Sequence, residues 1–182
     1  MEDFRQYYYL ESYLFDIVRP RFLKQGYLDA FDFFCIVIWK AERAKSRIAR
    51  RLTNVNEDID TAVKVVTWGV SQQATSKERM RVLWNGGLDL PMASAILTVL
   101  YPDDFTVYDQ RVCGQLGKHH HLKDSRDFET LWDGYQKFKC DVQKLAPTEL
   151  SLRDKDRYLW GKSFREQLMN DIRLGFKKAS KR

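Results

Sequence analysis

Apolar residues recur at helical spacing along almost the whole chain, and the strict alternation that marks a half-buried strand is nearly absent. Only four prolines and nine glycines occur among 182 residues, so few positions force a break. The reading is an all-α protein. A first helix is predicted over residues 3–19, ending before Pro20. A second runs over 29–52. Its front half, FDFFCIVIW, is almost wholly apolar and belongs in the core, and its back half, KAERAKSRIARRL, is basic and amphipathic. A third helix covers 57–68 with Asn56 as cap, and a fourth covers 76–84 with Ser76 as cap. NGGLDL breaks the pattern, and PMASAILTVLY resumes it with Pro91 suited to a first helical turn. PDDFTV is a loop, and YDQRVCGQLG opens another helix. KHHHLKD is a loop, and SRDFETLWDGYQKFKCDVQKL is a helix. Thr148 or Ser151 opens the last helical region, about 154–173, and the tail KKASKR is expected to fray.

The hydrophobic fraction of 44% and the aromatic fraction of 14% exclude a disordered chain. The length fits one domain, or two small helical lobes, and is enough to bury a real core. A formal charge of +6 suits a polyanionic partner. Cys35, Cys113 and Cys140 are odd in number and far apart, with no C-x-x-C pair, so zinc ribbons and iron–sulfur clusters lack a ligand set. Reduced thiols in a cytosolic setting are the plain expectation. The first residues, MEDFRQYYYLESYLFDIVRP, lack the pattern of a secretory signal. The longest apolar run, Phe33 to Trp39, is too short to span a bilayer. A soluble, cytoplasmic, monomeric protein without a membrane partner is therefore expected. His119, His120 and His121 are adjacent on a loop and do not converge as i, i+4 helical pairs do, so no metal and no cofactor are expected. Ser94 and Cys113 have no base neighbour in sequence that would make either a nucleophile.

The informative segment is SKERMRVLWNGGLDLPMASAILTVLYPDDFTVYDQRV, residues 76–112. It reads as helix, glycine-bearing turn, small-residue helix, loop, then an aspartate at a helix start. Gly86 and Gly87 allow positive φ and close backbone approach. The next helix begins near Pro91, so its first N–H groups and its dipole offer a phosphate site. Ala93, Ser94 and Ala95 let two helices pack closely. An ordinary helical hairpin fits the same spacing. Asp109 stands where an aspartate is commonly a helix cap. Here a loop delivers it behind Val107 and Tyr108, at a fixed distance from the hairpin.

This segment resembles the helix-hairpin-helix DNA glycosylases, over about 37 residues; the rest of the chain is compatible with their all-α, two-lobed fold. Laying Leu88 to Ala95 on the family's hairpin places Asp109 on its catalytic carboxylate without a gap. The resemblance implies a single domain over 1–182, with the hairpin at about 77–100 and the second lobe built from both chain ends. It implies double-stranded DNA as partner. The sequence departs from the family at Gly87-Leu88-Asp89, where glycine, hydrophobic, glycine is usual. Pro91 stands where bifunctional members carry a lysine, so strand cleavage through that lysine is not implied. The resemblance therefore implies a monofunctional glycosylase, acting in repair or against modified bases in phage DNA, with Asp109 stabilising the sugar cation and orienting water. The same scaffold holding DNA without chemistry, Asp109 serving only as a cap, is the alternative.

Around that centre, Gly86, Gly87, Leu88 and Leu90 are the expected DNA-binding hairpin. Lys40 and Arg43 lie where the apolar helix becomes basic and either reach a phosphate or form a solvated face. Arg111 contacts phosphate, acts on Asp109, or pairs with another acid. Trp39, Trp68, Tyr108 and Trp160 are candidates for the wall of a base pocket, each with a core role as the alternative.

Overall fold

A computed structural model describes residues 3–176. Among them the chain is all-helical. A 3-10 turn, Phe4–Tyr7, precedes α1 (Leu10–Tyr13), which continues through a π-helical stretch, Leu14–Val18, into α2 (Arg19–Gln25). The expected stop before Pro20 is therefore wrong. Pro20 sits in the first turn of α2, directly after the wide turn, where its missing N–H and fixed φ are tolerated. Gly26, at φ 80°, ends α2.

Residues 29–52 form two helices, not one. Asp29 caps α3 (Ala30–Ala41), and Ala41 turns extended at φ −166°. A 3-10 turn, Glu42–Ala44, then leads into α4 (Lys45–Leu52). The break redirects the chain so that Ile48 and Leu52 are buried where α4 packs on α5. The helical spacing of those two residues hides the break in the sequence, and neither Gly nor Pro marks it.

Two caps also fall elsewhere than expected. Asp58, not Asn56, caps α5 (Ile59–Ser71) by accepting from Thr61 N, while Asn56 accepts from Asp58 N one step outside. Thr75, not Ser76, caps α6 (Ser76–Asn85) by accepting from Glu78 N. The remaining helices are α7 (Leu90–Leu100), α8 (Gln110–Leu116), α9 (Phe128–Leu145) and α10 (Leu152–Arg173). Their caps are Asp89, Asp109, Asp127 and Ser151. The stretch read as a histidine loop contains a 3-10 turn, His120–Asp124. The tail expected to fray, KKASKR, lies outside the described residues.

The helix α7 is the hub. Leu90 and every residue from Met92 to Leu100 are buried, and α2, α3 and α6 pack around it. The helices α8, α9 and α10 contact one another, and α9 also touches α6. No helix among the described residues is long and apolar enough to cross a membrane.

Candidate active site

The connection from α7 to α8 is held at four consecutive residues, so the carboxylate at its end has a fixed address. The Tyr135 hydroxyl accepts from Thr106 N at 3.0 Å and donates to Thr106 O at 2.7 Å. Asp156 Oδ2 accepts from the Thr106 hydroxyl at 2.9 Å and from Val107 N at 2.5 Å. Ser94 Oγ, on the hub helix, accepts from Tyr108 N at 2.9 Å. Asp109 then caps α8, its Oδ1 accepting from Arg111 N at 2.9 Å. Its Oδ2 accepts from Lys40 Nζ at 2.5 Å. Lys40 comes from the last turn of α3, just before the break at Ala41.

This carboxylate opens onto a cavity of about 740 Å³, within the range of small-molecule and cofactor sites. Trp39, Lys40, Asp109, Asp156, Arg157 and Trp160 line it, drawn from α3, the loop and α10. The Asp109 side chain is 23% exposed and that of Lys40 12%. Neither is sealed in the core. Trp160 is stacked on Phe164, with ring centroids 5.7 Å apart and planes 6° apart. Trp39 meets Phe15 edge to face. The cavity thus brings two indole side chains together with a carboxylate–ammonium pair, combining aromatic surface with fixed negative charge.

Four carboxylates among the described residues line the cavity; Glu11 is paired with Arg153 and Arg157 and Asp154 with Ser151 and Arg157, and the other two, Asp156 and Asp109, sit in different settings. Burial pushes the Asp156 carboxyl up to about 7, and the hydrogen bonds from Val107 N and Thr106 and the charges of Lys40 and Arg157 pull it back only in part. Asp109 stands against an ammonium group. Burial also pushes the Cys113 thiol up to about 11, which removes it as a nucleophile near neutrality. Cys35 and Cys113 are buried and Cys140 is exposed, all three with free thiols.

Several expected site residues do not reach the cavity. Tyr108 is fully buried and donates to His119 O at 2.7 Å, so it is a core residue, not a pocket wall. Trp68 lies on α5 against Gly26 and does not line the cavity. Arg43 is exposed in the 3-10 turn after α3, outside the lining. The Arg111 side chain leaves Asp109, stacks over Trp160 at 5.3 Å and donates to Gln167 at 2.7 Å. Lys40 binds Asp109 instead of facing outward as a phosphate contact. His119 faces Asp141 and His120 faces Gln110, so the histidines diverge.

The hairpin differs from expectation in a specific way. Gly87 N donates to Trp84 O, and Leu88 N donates to Leu83 O, with Gly87 at φ 83°. These bonds close the end of α6, so those two N–H groups point back into the protein. The Leu88 and Leu90 side chains are buried. Asp89 Oδ1 accepts from Met92 N at 3.3 Å, so the chain's own carboxylate occupies the α7 N-terminus expected to take a phosphate. Arg47 and Arg51 reach Asp89 at 3.2 and 3.5 Å, and Arg51 also donates to Gly87 O. The hairpin therefore presents arginine side chains beside an internal acid, not bare backbone.

No family model matches the chain, and no curated protein or solved structure matches it significantly.

Asp156 and Arg157 were absent from the sequence reading of the site. One signal was present for Asp156: it lies four residues before Trp160, which places both on one face of α10. Nothing local distinguishes it from Asp154, whose contacts are with Ser151 and Arg157.

Proposed function

We propose that this chain is a monofunctional DNA glycosylase that hydrolyses the bond between the sugar and a damaged or modified base. The observation that carries the reading is the half-open Asp109 carboxylate, on a loop held at each of residues 106–109, facing a cavity with two tryptophans. Loss of a base develops positive charge on the sugar ring, and a fixed carboxylate stabilises that charge and orients the attacking water. The base must leave the duplex stack to reach such a site, and Trp39 and Trp160 offer it replacement stacking. Lys40 holds the carboxylate in place. The net charge of +6, with arginines beside the hairpin, suits a polyanionic partner.

A second reading rests on one observation: both Asp109 oxygens already have partners. In that reading the residue only closes α8, and the protein holds DNA without chemistry. Duplexes carrying alkylated, oxidised, deaminated or enlarged bases, incubated with the protein and then treated with hot alkali, separate the two. Breaks that disappear in Asp109→Asn support the glycosylase. Salt-sensitive binding without breaks on any duplex supports the binding module, and no binding at all contradicts both. Hydrolysis without a Schiff base further predicts that borohydride traps no covalent protein–DNA adduct, although Lys40 lies beside Asp109. A trapped adduct lost in Lys40→Ala would assign strand cleavage instead.

A further inference from the structure

We propose that Asp156 is the general acid of this site, donating a proton from Oδ1 to the base as its bond to the sugar breaks. The inference rests on the glycosylase reading and adds a second catalytic residue to it. Three observations support it. Asp156 lines the same cavity as Asp109. Both of its hydrogen bonds among the described residues fall on Oδ2, so Oδ1 is the oxygen left for a ligand. Its surroundings favour the neutral acid: the side chain is buried and forms no ion pair among the described residues, whereas Asp109 is salt-bridged at 2.5 Å. The groups facing it are Lys40 from α3, Tyr135 from α9 and Arg157 on its own helix, and burial outweighs the two cations, leaving the carboxyl near 7. Two carboxyls whose environments separate them in this way divide into acid and charge stabiliser.

The step balances without a cofactor. The Oδ1–H bond breaks and the proton moves to a ring nitrogen or carbonyl oxygen of the base. The sugar–base bonding pair leaves with the base. Water oxygen bonds to the sugar carbon and gives its proton to Asp109, from which it returns through solvent to Asp156. One water is consumed, and one free base and one abasic sugar form.

The test uses the leaving group. A neutral purine such as hypoxanthine leaves well only when a ring nitrogen is protonated, whereas 7-methylguanine in the duplex already carries a positive charge and departs without a donated proton. Single-turnover release from duplexes carrying each base is measured on both sides of pH 7 for the wild type, Asp156→Asn and Asp109→Asn. On a neutral base the wild-type rate is expected to fall as pH rises through about 7. Asp156→Asn is expected to lose that limb and about 10²-fold in rate on the neutral base, while keeping near-wild-type release of 7-methylguanine. Equal losses on both bases would mean that Asp156 merely positions the loop, and would overturn the proposal. So would a wild-type profile with no limb near 7, which needs no variant to fold, or release of the cationic base alone. If Asp109→Asn is inactive and Asp156→Asn behaves as wild type, this inference fails and the glycosylase reading stands. If the wild type releases no base from any duplex, the glycosylase reading fails and this inference with it.

Discussion

At the scale of single residues, substitutions at the site must be chosen so that folding and chemistry separate. Asp109 is a cap as well as the candidate catalytic group, and asparagine caps about as well as aspartate. Asp109→Asn keeps the cap but leaves the Lys40 ammonium without its counter-charge, so it should be less stable than the wild type, yet more stable by about 1 kcal/mol than Asp109→Ala, which gives up the cap as well; denaturant titration checks both. Asp156 makes stability depend on pH in a defined direction. Its folded carboxyl is raised from 3.8 to about 7, so the folded state holds a proton that the unfolded chain has released. Its contribution is complete below 3.8 and is lost as pH rises through about 7. Thermal melts should show Asp156→Asn gaining on the wild type across that window, and a difference independent of pH would contradict this. Gly87, at φ 83°, needs the left-handed region, although an added Cβ would meet Arg51 only at 3.6 Å. Gly87→Ala should cost about 1–2 kcal/mol through backbone strain alone, measured by urea unfolding.

At the scale of elements, the N-terminus of α7 joins stability to partner binding. Asp89 closes that helix and draws in Arg47 and Arg51. Asp89→Ala should lose about 1 kcal/mol of stability for the cap. It should also bind duplex DNA more tightly at low salt, because the two arginines and the helix end are released toward phosphate. Melting temperature and a salt titration of binding read the two effects separately, and weaker DNA binding would argue against a role for this hairpin. The same element shows what was legible beforehand. The small residues Ala93 to Ala95 and the first-turn Pro91 read correctly because their requirements are local. The break at Ala41 did not, because Ile48 and Leu52 keep helical spacing across it and the new direction is set by packing on α5. The shifts from Asn56 to Asp58 and from Ser76 to Thr75 have a simple cause. Each pair offers two capping side chains within two residues, and the backbone chooses between them.

At the scale of the whole molecule, the all-helical class followed from periodicity, and the site only partly did. Asp109, Lys40, Trp39 and Trp160 meet at one cavity although they come from three elements far apart in the chain, α3, the loop before α8, and α10. Tyr108 and Trp68 were set beside them by chain proximity or residue type alone, and burial and α5 take them elsewhere. Asp156 was missed because its partners, Thr106 and Val107, lie about fifty residues away on a loop. No local pattern reports that contact. The central claim concerns the chemistry of Asp109, and single-turnover release of free base under saturating enzyme tests it most directly. With Asp109→Asn folded and binding the duplex as tightly as the wild type, release should fall by about 10²–10⁴-fold. An unchanged rate of release in that variant would contradict the account.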